Sequence, residues 1–374
     1  MSREPLLFVM AAGGTGGHII PALAVANLLR TRGHRVLFVG TREGMEARLA
    51  QGAGYEMEWV EIGGLQRVGF RRAVRTFRQL PVAVVRLWRR LRQLRPGAVF
   101  STGGFVAGPV IAAAWLAGIP VVAMEPNAMP GLTHRMAGRM CRRVLLGSAA
   151  AARFFPAGRS EVTGIPVREE FFAAPPASTG PQLRVLITGG SQGSRTLNQA
   201  FQQSWPQFRQ PGSPVQFLHQ SGKTAAEDLG REFALTGLSG QVTPFIDDMA
   251  AAFAAADLVV CRAGASTVAE LAASGRPSIL VPFPFATDDH QRHNAEAMER
   301  AGAARVVADR DLDGRRLHQE ITALAADPVR RLRMAEAARA LGRPEAARRA
   351  AGILEEQAGK TVVDLAAESR NNTR

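Results

Sequence analysis

Two segments of this 374-residue chain share one pattern, in which an apolar run leads into a cluster of glycines and then into a stretch of helical length. The first, LLFVMAAGGTGGH, begins at Leu6, and the second, LRVLITGGSQGSR, begins at Leu183. Around both, β-branched runs alternate with Ala-, Leu- and Arg-rich stretches, which is typical of parallel sheets with right-handed crossovers. We therefore predict an α/β fold with two Rossmann-like, doubly wound parallel-sheet domains. Because ligands of such sheets bind beyond the carboxyl ends of the strands, we expect the domains to face a cleft.

The predicted strands form two groups, separated by AAPPASTGPQ at residues 173–182, whose prolines and glycine are typical of a linker. The strands predicted before it are Leu6–Met10, Arg35–Val39, Trp59–Ile62, Ala98–Ser101, Val121–Ala123 and Val144–Leu146. Those predicted after it are Val185–Thr188, Val215–His219, Val242–Phe245, Leu258–Cys261, Ser278–Val281 and Arg305–Val307. We assign residues 1–166 to the first domain and 167–343 to the second. We expect an amphipathic helix at 344–358 to pack back on the first domain, and disorder from 360 to 374.

Composition argues against several classes of protein. With two cysteines, Cys141 and Cys261, and no CxxC pair, a disulfide scaffold or a cysteine metal site is not expected. The N-terminal residues show no signal-peptide pattern. Residues 99–124 contain no charge, as a membrane span would, but glycines and prolines interrupt them repeatedly. We predict a strand, a glycine loop, a buried helix and a second strand there.

The net charge of +14 has a strong local source: no acid occurs between Glu61 and Glu125, and ten arginines lie from Arg67 to Arg95. From residue 71 to 95 apolar residues recur at mostly helical spacing, with a break near Pro81, and arginines cover the other face. We interpret this segment as an interfacial helix on anionic headgroups; the alternative is an ordinary crossover helix with a solvated basic face. Nucleic acid is less favoured, since no stacking aromatics or reader motif are present. The side chains predicted to meet the membrane are Arg71, Arg72, Arg75, Phe77, Trp88, Arg89 and Arg90.

The first glycine cluster, residues 13–17, suits an anion, because glycine lets backbone N–H groups approach a ligand and the next helix adds a positive dipole end. It is not a dinucleotide fingerprint, since that motif would need glycine where Ile19 stands, and the second strand ends VGTREG with no acid placed for a ribose. A tight turn that binds nothing is the alternative. The helix start favours a neutral imidazole for His18, which could accept a proton, although a lone histidine is often a cap or a packing residue.

Two further strand-to-helix turns each allow two interpretations. GGSQGS fits the nucleophile-elbow pattern through Ser191, and a serine hydrolase would then need partners such as Asp289 and His293. The anion-loop interpretation instead explains both glycine clusters at once. In CRAGASTVAE, Thr267 and Glu270 could form a capping box, or the helix start could bind a diphosphate and Glu270 a ribose diol.

The segment DRDLDGRRLHQE, residues 309–320, satisfies the EF-hand loop expression. A strand precedes it where an EF-hand has a helix, and Arg310, Arg315 and Arg316 place positive charge within the loop. We therefore predict an acidic N-cap and first turn of a helix there, and no calcium site.

Nine motifs, taken in order from residue 6 to residue 345, resemble those of the MurG family. They are GGTGGH, STGGFVAGP, GLTHR, GIPVR, GGSQGSRTLN, HQSGK, FIDDMA, CRAGASTVAE and DDHQRHNA. The resemblance implies a GT-B fold without a bound catalytic metal and without a cofactor. It also implies transfer of GlcNAc from UDP-GlcNAc to lipid I, the undecaprenyl-diphosphate-linked muramoyl-pentapeptide, with inversion, giving lipid II for peptidoglycan synthesis. The implied partners are these substrates, other cell-wall synthesis proteins and the anionic cytoplasmic face of the inner membrane, where the protein would be peripheral.

The resemblance also assigns roles to residues of this sequence. In the second domain the backbone of Ile246 would read the uracil edge and Glu270 would bind the ribose hydroxyls. The remaining donor-binding residues would be Arg168, Ser191, Asn198, Gln220, Ala265, Ser266, Thr267, His290 and Gln291. The acceptor diphosphate would face Gly14, Thr15, Gly16, Gly17, Gly103, Gly104 and Asn127 in the first domain. His18 is the leading candidate for the base that activates the acceptor hydroxyl, and Glu125 is the second.

The sequence departs from the family pattern at two places on the acceptor side. Met124-Glu125-Pro126-Asn127 stands where the family usually has His-Glu-Gln-Asn, and His134 stands where it usually has Asn. A role for the missing histidine is therefore not carried over. The alternative functions are a related GT-B enzyme, such as a diacylglycerol glycosyltransferase or a UDP-GlcNAc 2-epimerase, the serine hydrolase, and a non-catalytic membrane-surface module.

Overall fold

The computed structural model describes residues 4–13, 16–62, 70–178, 180, 182–209, 215–286 and 289–371, and for 70–78, 132 and 360–371 it describes the backbone alone. The chain divides into two compact units. The first comprises Met1–Arg168 and Glu345–Arg374, and the second comprises Glu169–Pro344. Each contains a parallel sheet with helices packed against it.

The first unit is built on a parallel sheet. Its strands are β1 (Leu7–Ala12), β2 (Arg35–Gly40), β3 (Glu56–Trp59), β4 (Ala98–Gly103), β5 (Val121–Glu125), β6 (Arg143–Leu146) and β7 (Ser160–Val162). Among the described residues these seven strands pair in the order β3-β2-β1-β4-β5-β6-β7. The order reverses between β1 and β4, so the turns after these strands lie side by side at the carboxyl edge, where α/β sheets bind ligands.

Helices cover both faces of this sheet. They are α1 (Gly16–Thr31), α2 (Met45–Gly52), α3 (Phe70–Leu94), α4 (Ala107–Leu116), α5 (Leu132–Ala137) and the last helix of the chain, Ala346–Asn371. Alternate residues of β1 enter different clusters, because successive side chains of a strand point to opposite faces. Val9 and Ala11 pack with residues of α3 and α4, whereas Phe8 and Met10 pack with residues of α1 and of the last helix.

The second unit repeats this design. Its strands are β8 (Leu183–Thr188), β9 (Val215–Gln220), β10 (Gly240–Thr243), β11 (Leu258–Cys261), β12 (Ser278–Leu280) and β13 (Ala304–Val306), paired in the order β10-β9-β8-β11-β12-β13 with all neighbours parallel. Its helices are α6 (Glu169–Phe172), α7 (Arg195–Phe208), α8 (Ala226–Ala234), α9 (Met249–Ala255), α10 (Ala265–Ser274), α11 (His290–Arg300), α12 (Gly314–Ala325) and α13 (Pro328–Ala340). The last helix of the chain, Ala346–Asn371, is therefore α14.

The predicted fold class is confirmed, because both sheets are parallel and doubly wound. Three strands begin two or more residues earlier than predicted, at Glu56 instead of Trp59, at Leu183 instead of Val185 and at Gly240 instead of Val242. In the first case Val60 and Ile62 are buried although they follow the strand, and the N–H of Val60 still donates to the carbonyl of Gly40 in β2 at 2.9 Å. Their apolar character therefore marks burial and not the extent of the strand. The pattern does not predict β7, since its three residues, SEV, form no apolar run.

The uncharged segment at 99–124 folds as predicted, into β4, a glycine turn, α4 and β5. The basic segment forms one helix, α3, and Pro81 lies inside this helix without ending it. No described helix is both long enough and apolar enough to cross a membrane.

The linker and the C-terminal tail differ from their predictions. The AAPPASTGPQ segment lies inside the second unit, where Ala174 and Ala177 are buried and the N–H group of Ser178 donates to Asp257 at 3.1 Å. The tail was predicted to be disordered from residue 360, but α14 continues to Asn371. This part, TVVDLAAESRN, contains no glycine or proline that would end a helix.

Helix α14 returns to the first unit, where it contacts α1 and β4. Ala350, Ile353 and Leu354 are fully buried in the core of that unit. On its surface Arg349 donates to both carboxylate oxygens of Glu161 in the edge strand β7, at 2.6 and 2.9 Å. The chain thus crosses to the second unit and completes the first one only at its end.

Truncating Leu354 to Ala should therefore destabilise the first unit, although residue 354 follows the whole second unit in sequence. We expect a loss of about 2–5 kcal/mol, because a buried leucine leaves a cavity in the core. Urea unfolding measures this loss. Arg348→Ala, on an exposed position of the same helix, is the control and should change stability by less than about 1 kcal/mol. A Leu354→Ala variant as stable as this control would contradict the packing described.

Candidate active site

In the first unit the two glycine-rich turns after β1 and β4 touch each other. Gly104 has a φ of +86°, and a Cβ on it would overlap the carbonyl group of Gly13. A Cβ on Gly13 would come within 2.8 Å of Val106. Both positions favour glycine, because a Cβ on Gly104 would separate the two backbones and a Cβ on Gly13 would crowd the Val106 side chain. Gly13 of the first predicted acceptor loop and Gly104 of the second therefore meet at the carboxyl edge of the sheet.

His18 is held against the turn after β4 by two hydrogen bonds. Its Nδ1 donates to the carbonyl oxygen of Thr102 at 2.8 Å, and the Thr102 hydroxyl donates to the carbonyl oxygen of His18 at 2.7 Å. Because a carbonyl oxygen can only accept, Nδ1 carries the proton, and the lone pair of the neutral ring is on Nε2. His18 is thus in the tautomer in which Nε2 can accept a proton, as a general base must.

A second histidine, His134, approaches the same turn. A Cβ on Gly103, whose φ is +101°, would lie 3.1 Å from Cε1 of His18 and 3.4 Å from Cε1 of His134. His134 is buried, and its Nδ1 donates to Oε2 of Glu125 at 3.1 Å. The sequence shows His134 only as a departure from the family pattern. In the structure it helps to support the turn against which His18 is held.

Glu125 is occupied by donors from its own chain. Oε1 accepts the backbone N–H of Asn127 at 3.0 Å and its side-chain amide at 3.3 Å, while Oε2 accepts the N–H of Gly131 at 3.1 Å and His134. Burial alone would raise the pKa of Glu125, but His134 and the N–H groups of Asn127 and Gly131 together lower it below 4.5. A buried carboxylate with four donors and a lowered pKa is a poor base, so this geometry argues against the second candidate base and gives Glu125 a supporting role.

Sequence reasoning missed Glu46, a fully buried carboxylate beside the first glycine turn. Its Oε1 accepts the N–H of Thr41 at 2.9 Å and the Thr41 hydroxyl at 3.0 Å. The same oxygen lies 3.4 Å from the point where a Cβ on Gly13 would stand. The signal that could have found it is position: an acid in the first turn after β2, at the carboxyl edge.

In the second unit the GGSQGS turn lies between β8 and α7. Ser194 is the N-cap of α7, and its hydroxyl accepts the N–H of Leu197 at 3.3 Å. Gly190 and Gly193 both have positive φ, and the carbonyl of Gly190 accepts the N–H of Gly193 at 2.9 Å. The glycine turn therefore leads directly into the start of α7, which is the position in which such turns bind anions.

Two predicted donor-binding side chains, Gln220 and Asn198, bind the protein itself. The Gln220 amide donates to the carbonyl of Gly190 at 2.8 Å and accepts the N–H of Ile246 at 3.0 Å. The Asn198 amide donates to the carbonyl of Ser221 at 2.9 Å, and its oxygen lies 2.9 Å from Nε2 of His219. Burial lowers the pKa of His219 to about 4, so this ring is neutral.

The turn that leads into helix α10 is the second one in this unit that could bind an anion. Its N-cap is Gly264, which has no side-chain cap, and the first N–H bonded within the helix is that of Val268, to the carbonyl of Gly264 at 2.9 Å. The N–H groups of Ala265, Ser266 and Thr267 lie before it and point out of the helix start. Thr267 lies inside the helix, so the capping-box alternative is wrong. Glu270 is buried in this helix, close to the strand that leads to the turn.

Arg262, also missed by sequence reasoning, joins several turns at this edge. It donates to the Ser194 hydroxyl at 2.7 Å, to the carbonyl of Val281 at 3.1 Å and to the carboxylate of Asp309. Its place directly before the α10 turn is the signal that could have found it. The predicted N-cap after Asp309 is confirmed, because Asp313 accepts the N–H of Arg316 at 2.7 Å. Within the described part of the chain no three His, Cys, Asp or Glu side chains cluster as metal ligands.

The start of α11 carries His290 and Gln291. Oε1 of Gln291 accepts the N–H of Phe283 at 3.0 Å, which fixes the side chain against the turn after β12. The hydrolase partners are engaged elsewhere. Asp289 pairs with Arg292 at 3.6 Å, and His293 lies 3.9 Å from Glu296 on an exposed face. These contacts do not form a catalytic triad.

The side chains predicted to meet the membrane lie in different environments. Trp88 is half-buried against the core and has Arg92 over its ring at 5.2 Å, and Arg90 donates to Glu58 at 2.9 Å. Arg89 is exposed. Of the rest, the side chains of Arg71, Arg72, Arg75 and Phe77 lie outside the described ones.

Other apolar side chains of the first unit are exposed instead. Val82 and Val85 on α3 are 70% and 47% exposed, and Trp115 at the end of α4 is 55% exposed. Helix α3 packs against α4, and α4 packs against α5, where Met136 is 73% exposed. Leu87 and Leu91 on α3 are buried instead, because a crossover helix must turn part of its apolar surface to the sheet.

Gly14 and Thr15 lie outside the described residues. Arg168 is half-buried and is the last residue of the first unit, whereas the other predicted donor-binding residues belong to the second. Gly16 and Gly17 are the first two residues of α1, directly before His18.

Comparison with known proteins gives one matching domain for each of the two units. Residues 8–146 match the glycosyltransferase family 28 N-terminal domain, and residues 184–350 match its C-terminal domain. A relative from Solibacter usitatus (strain Ellin6076), a UDP-N-acetylglucosamine–N-acetylmuramyl-(pentapeptide) pyrophosphoryl-undecaprenol N-acetylglucosamine transferase, is 55% identical over 94% of this chain and 96% of its own. The crystal structure of Acinetobacter baumannii MurG is 34% identical with a TM-score of 0.75, over 94% of this chain and 100% of that one. The chain belongs to the MurG family.

Membership of the MurG family confirms the resemblance and the GT-B fold inferred from it. The putative UDP-N-acetylglucosamine 2-epimerase from Listeria monocytogenes has a TM-score of 0.67 at 12% identity, over 93% of this chain and 95% of that one. At this identity the likeness shows a shared fold alone. The family places the two glycine-rich edges in a glycosyltransferase, and not in a serine hydrolase.

The environment of Glu125 predicts the effect of Glu125→Gln. At neutral pH the variant should lose about 2–3 kcal/mol, because the new NH2 group would face a donor within the buried cluster. The folded pKa of Glu125 is lowered, so its contribution is present above the unfolded pKa and is lost as the pH falls through the folded value. Wild-type stability should thus decline below about pH 4.5, and the variant should lack this component. Urea unfolding at several pH values measures both effects.

Glu43→Gln, on an exposed position of the first unit, is the matched control and should leave stability nearly unchanged at every pH. If Glu125→Gln behaves like Glu43→Gln, the carboxylate does not hold the turn at 125–131.

Proposed function

We propose that this member of the MurG family transfers GlcNAc from UDP-GlcNAc to the 4-hydroxyl of the muramoyl sugar of lipid I, giving lipid II in peptidoglycan biosynthesis. The observation that carries the proposal is the 55% identity to the transferase of that name, which spans both units. The geometry supports it, because a glycine-rich turn that could bind an anion lies at the carboxyl edge of the sheet in each unit. The reaction needs two such sites, since the donor and the acceptor each carry a diphosphate. The second unit would bind the donor, and the first would bind the acceptor.

The donor would lie on the carboxyl edge of the second unit. The N–H groups of Ala265, Ser266 and Thr267 at the start of α10, together with the turn around Ser191, would bind the diphosphate. Glu270 would accept hydrogen bonds from the ribose hydroxyls. Since the N–H of Ile246 is bonded to Gln220, its carbonyl oxygen is the group that would accept from N3–H of uracil. His290 and Gln291 would contact the sugar, and Arg168 stays a predicted ligand of the diphosphate.

The acceptor would lie on the carboxyl edge of the first unit. The turns at 13–17 and 103–104 would face the lipid diphosphate, and Asn127 would border this site. His18 would take the proton of the attacking hydroxyl on Nε2, while the hydroxyl oxygen forms a bond to the anomeric carbon and UDP leaves from the opposite face. Configuration therefore inverts. The charge that develops on UDP would be stabilised by the N–H dipoles of the helix starts, with no resident cofactor in the proposal.

The first unit would dock on an anionic membrane, because its acceptor is a lipid. The exposed side chains that would enter the interface are Val82 and Val85 on α3, Trp115 on α4 and Met136 on α5. Arg86 and Arg89, which are also exposed on α3, would meet the headgroups. In this proposal the exposed Trp115 would enter the interface, whereas Trp88, which the sequence predicts there, packs against the core. Peripheral attachment to the cytoplasmic face, and contacts with other cell-wall synthesis proteins, belong to this proposal.

UDP release from UDP-GlcNAc, with and without a short-chain lipid I analogue, tests the activity. Release that depends on the acceptor supports the transferase, and conversion to UDP-ManNAc without acceptor would replace it by an epimerase. In this assay His18→Ala should lower kcat by about 10²- to 10⁴-fold, the usual contribution of a general base, while UDP affinity stays within about twofold.

His18→Asn separates a base from a binding residue, since asparagine can donate to the carbonyl of Thr102 but cannot take a proton at neutral pH. Both variants should be equally slow, and both should lose the acidic limb of the kcat–pH profile. If Asn restores activity, or if the Ala variant recovers at saturating acceptor, His18 binds the acceptor and is not the base.

Reversing Arg86 and Arg89 to Glu should weaken binding to vesicles of phosphatidylglycerol and phosphatidylcholine by roughly thirtyfold or more, since each basic group at such a surface contributes about 1 kcal/mol. UDP affinity should not change. Sedimentation with vesicles measures the first quantity and calorimetry the second. Arg330→Glu with Arg333→Glu, on α13 of the second unit, is the matched control. Equal losses for the two pairs would mean that net charge, and not α3, carries the binding.

A further inference from the structure

We propose that Gln220 is a positioning residue that couples the diphosphate half of the donor site to its uracil half. This inference rests on the proposed function and deepens it. The sequence places Gln220 among the residues that line the donor site. In the structure both ends of its side-chain amide instead hydrogen-bond to turns of the protein. The ligand would then be bound by the backbone of those two turns.

Gln220 is the last residue of β9 and is 1% exposed. Its Nε2 donates to the carbonyl of Gly190 at 2.8 Å, and its Oε1 accepts the N–H of Ile246 at 3.0 Å. A carbonyl can only accept and a backbone N–H can only donate, so the amide has a single possible orientation. One buried side chain thus spans from the GGSQGS turn to the segment that would read the base.

Backbone packing shows that the segment following Gln220 supports the GGSQGS turn. A Cβ on Gly193 would overlap the carbonyl of Ser221, and a Cβ on Gly222 would overlap the carbonyl of Gln192. The N–H of Ser221 donates to Thr243 at 3.0 Å, which ties the same segment to the end of β10. The GGSQGS turn and the segment after β10 therefore both pack on the residues that follow Gln220, and the Gln220 side chain bonds to both.

This arrangement has a thermodynamic consequence. UDP spans both halves of the site, so its affinity depends on their relative position, whereas uridine has no diphosphate and would not use the GGSQGS turn. If Gln220 sets that position, its loss should reduce the advantage of UDP over uridine. A direct contact with the base would instead lower both affinities by the same factor. A role in folding alone would lower stability without changing either affinity of the folded protein.

The experiment measures the dissociation constants of UDP and uridine for the full-length protein, by calorimetry for UDP and by competition against UDP for uridine. Gln220→Met keeps the volume and removes both hydrogen bonds. Its UDP-to-uridine affinity ratio should fall roughly tenfold, the effect of one to two neutral hydrogen bonds. Gln220→Glu, at a pH of about 8 where a carboxylate is ionised, keeps an acceptor for Ile246 and repels the carbonyl of Gly190. It should preserve uridine affinity and lose the advantage of UDP.

Gln216→Glu, on the same strand but away from its carboxyl end, is the matched control and should change neither constant. An unchanged affinity ratio in the Met variant, or equal losses of UDP and uridine in both variants, overturns the positioning role while leaving the transferase proposal intact. If the wild-type protein binds UDP no better than uridine, the donor site itself is wrong, and the proposed function falls together with this inference.

Discussion

At the carboxyl edge of each sheet, backbone meets backbone with no space for a side chain. In the first unit Gly104 contacts Gly13, and in the second Gly193 contacts Ser221, so that a Cβ at either glycine would overlap a carbonyl group. This close approach aligns the turns after neighbouring strands into one edge, and it leaves N–H groups at the helix starts as the functional surface. The orientation of His18 depends on it, because its partner is the carbonyl of Thr102 near the end of β4, directly before the second of the two touching turns.

Most polar side chains around these edges bind the protein. Glu125 is filled by donors from its own loop, Gln220 bridges two turns, and Arg262 joins Ser194, Val281 and Asp309. Such contacts fix the backbone before any substrate arrives, which is the condition for electrostatic stabilisation without reorganisation. A side chain within a motif can therefore be needed for the turn that it holds in place, even where it never touches the ligand.

Much of the fold was predictable because its determinants are local. A buried parallel strand reads as a short apolar run, and a glycine cluster between such a run and a helix marks a turn at the carboxyl edge, so β1, β4, β8 and β11 were found near their true positions. The errors have local causes too. Val60 and Ile62 are apolar because they are buried after a strand ends, and β7 has no apolar run because it is a short edge strand. The C-terminal helix was identified, but its extent past residue 360 was not.

By itself the sequence determined the fold class and the family, and it predicted the places along the chain where chemistry would belong, since all three follow from the order of motifs and the spacing of apolar residues. It left open what each side chain at those places contacts. Only the tertiary structure decided that Thr267 is not a cap, that Glu125 is saturated with donors, and that Trp88 faces the core while Trp115 faces outward. The physical reason is that a hydrogen-bond partner or a buried face is supplied by residues distant in sequence. His18 and Thr102 lie 84 positions apart, and no local pattern encodes their meeting.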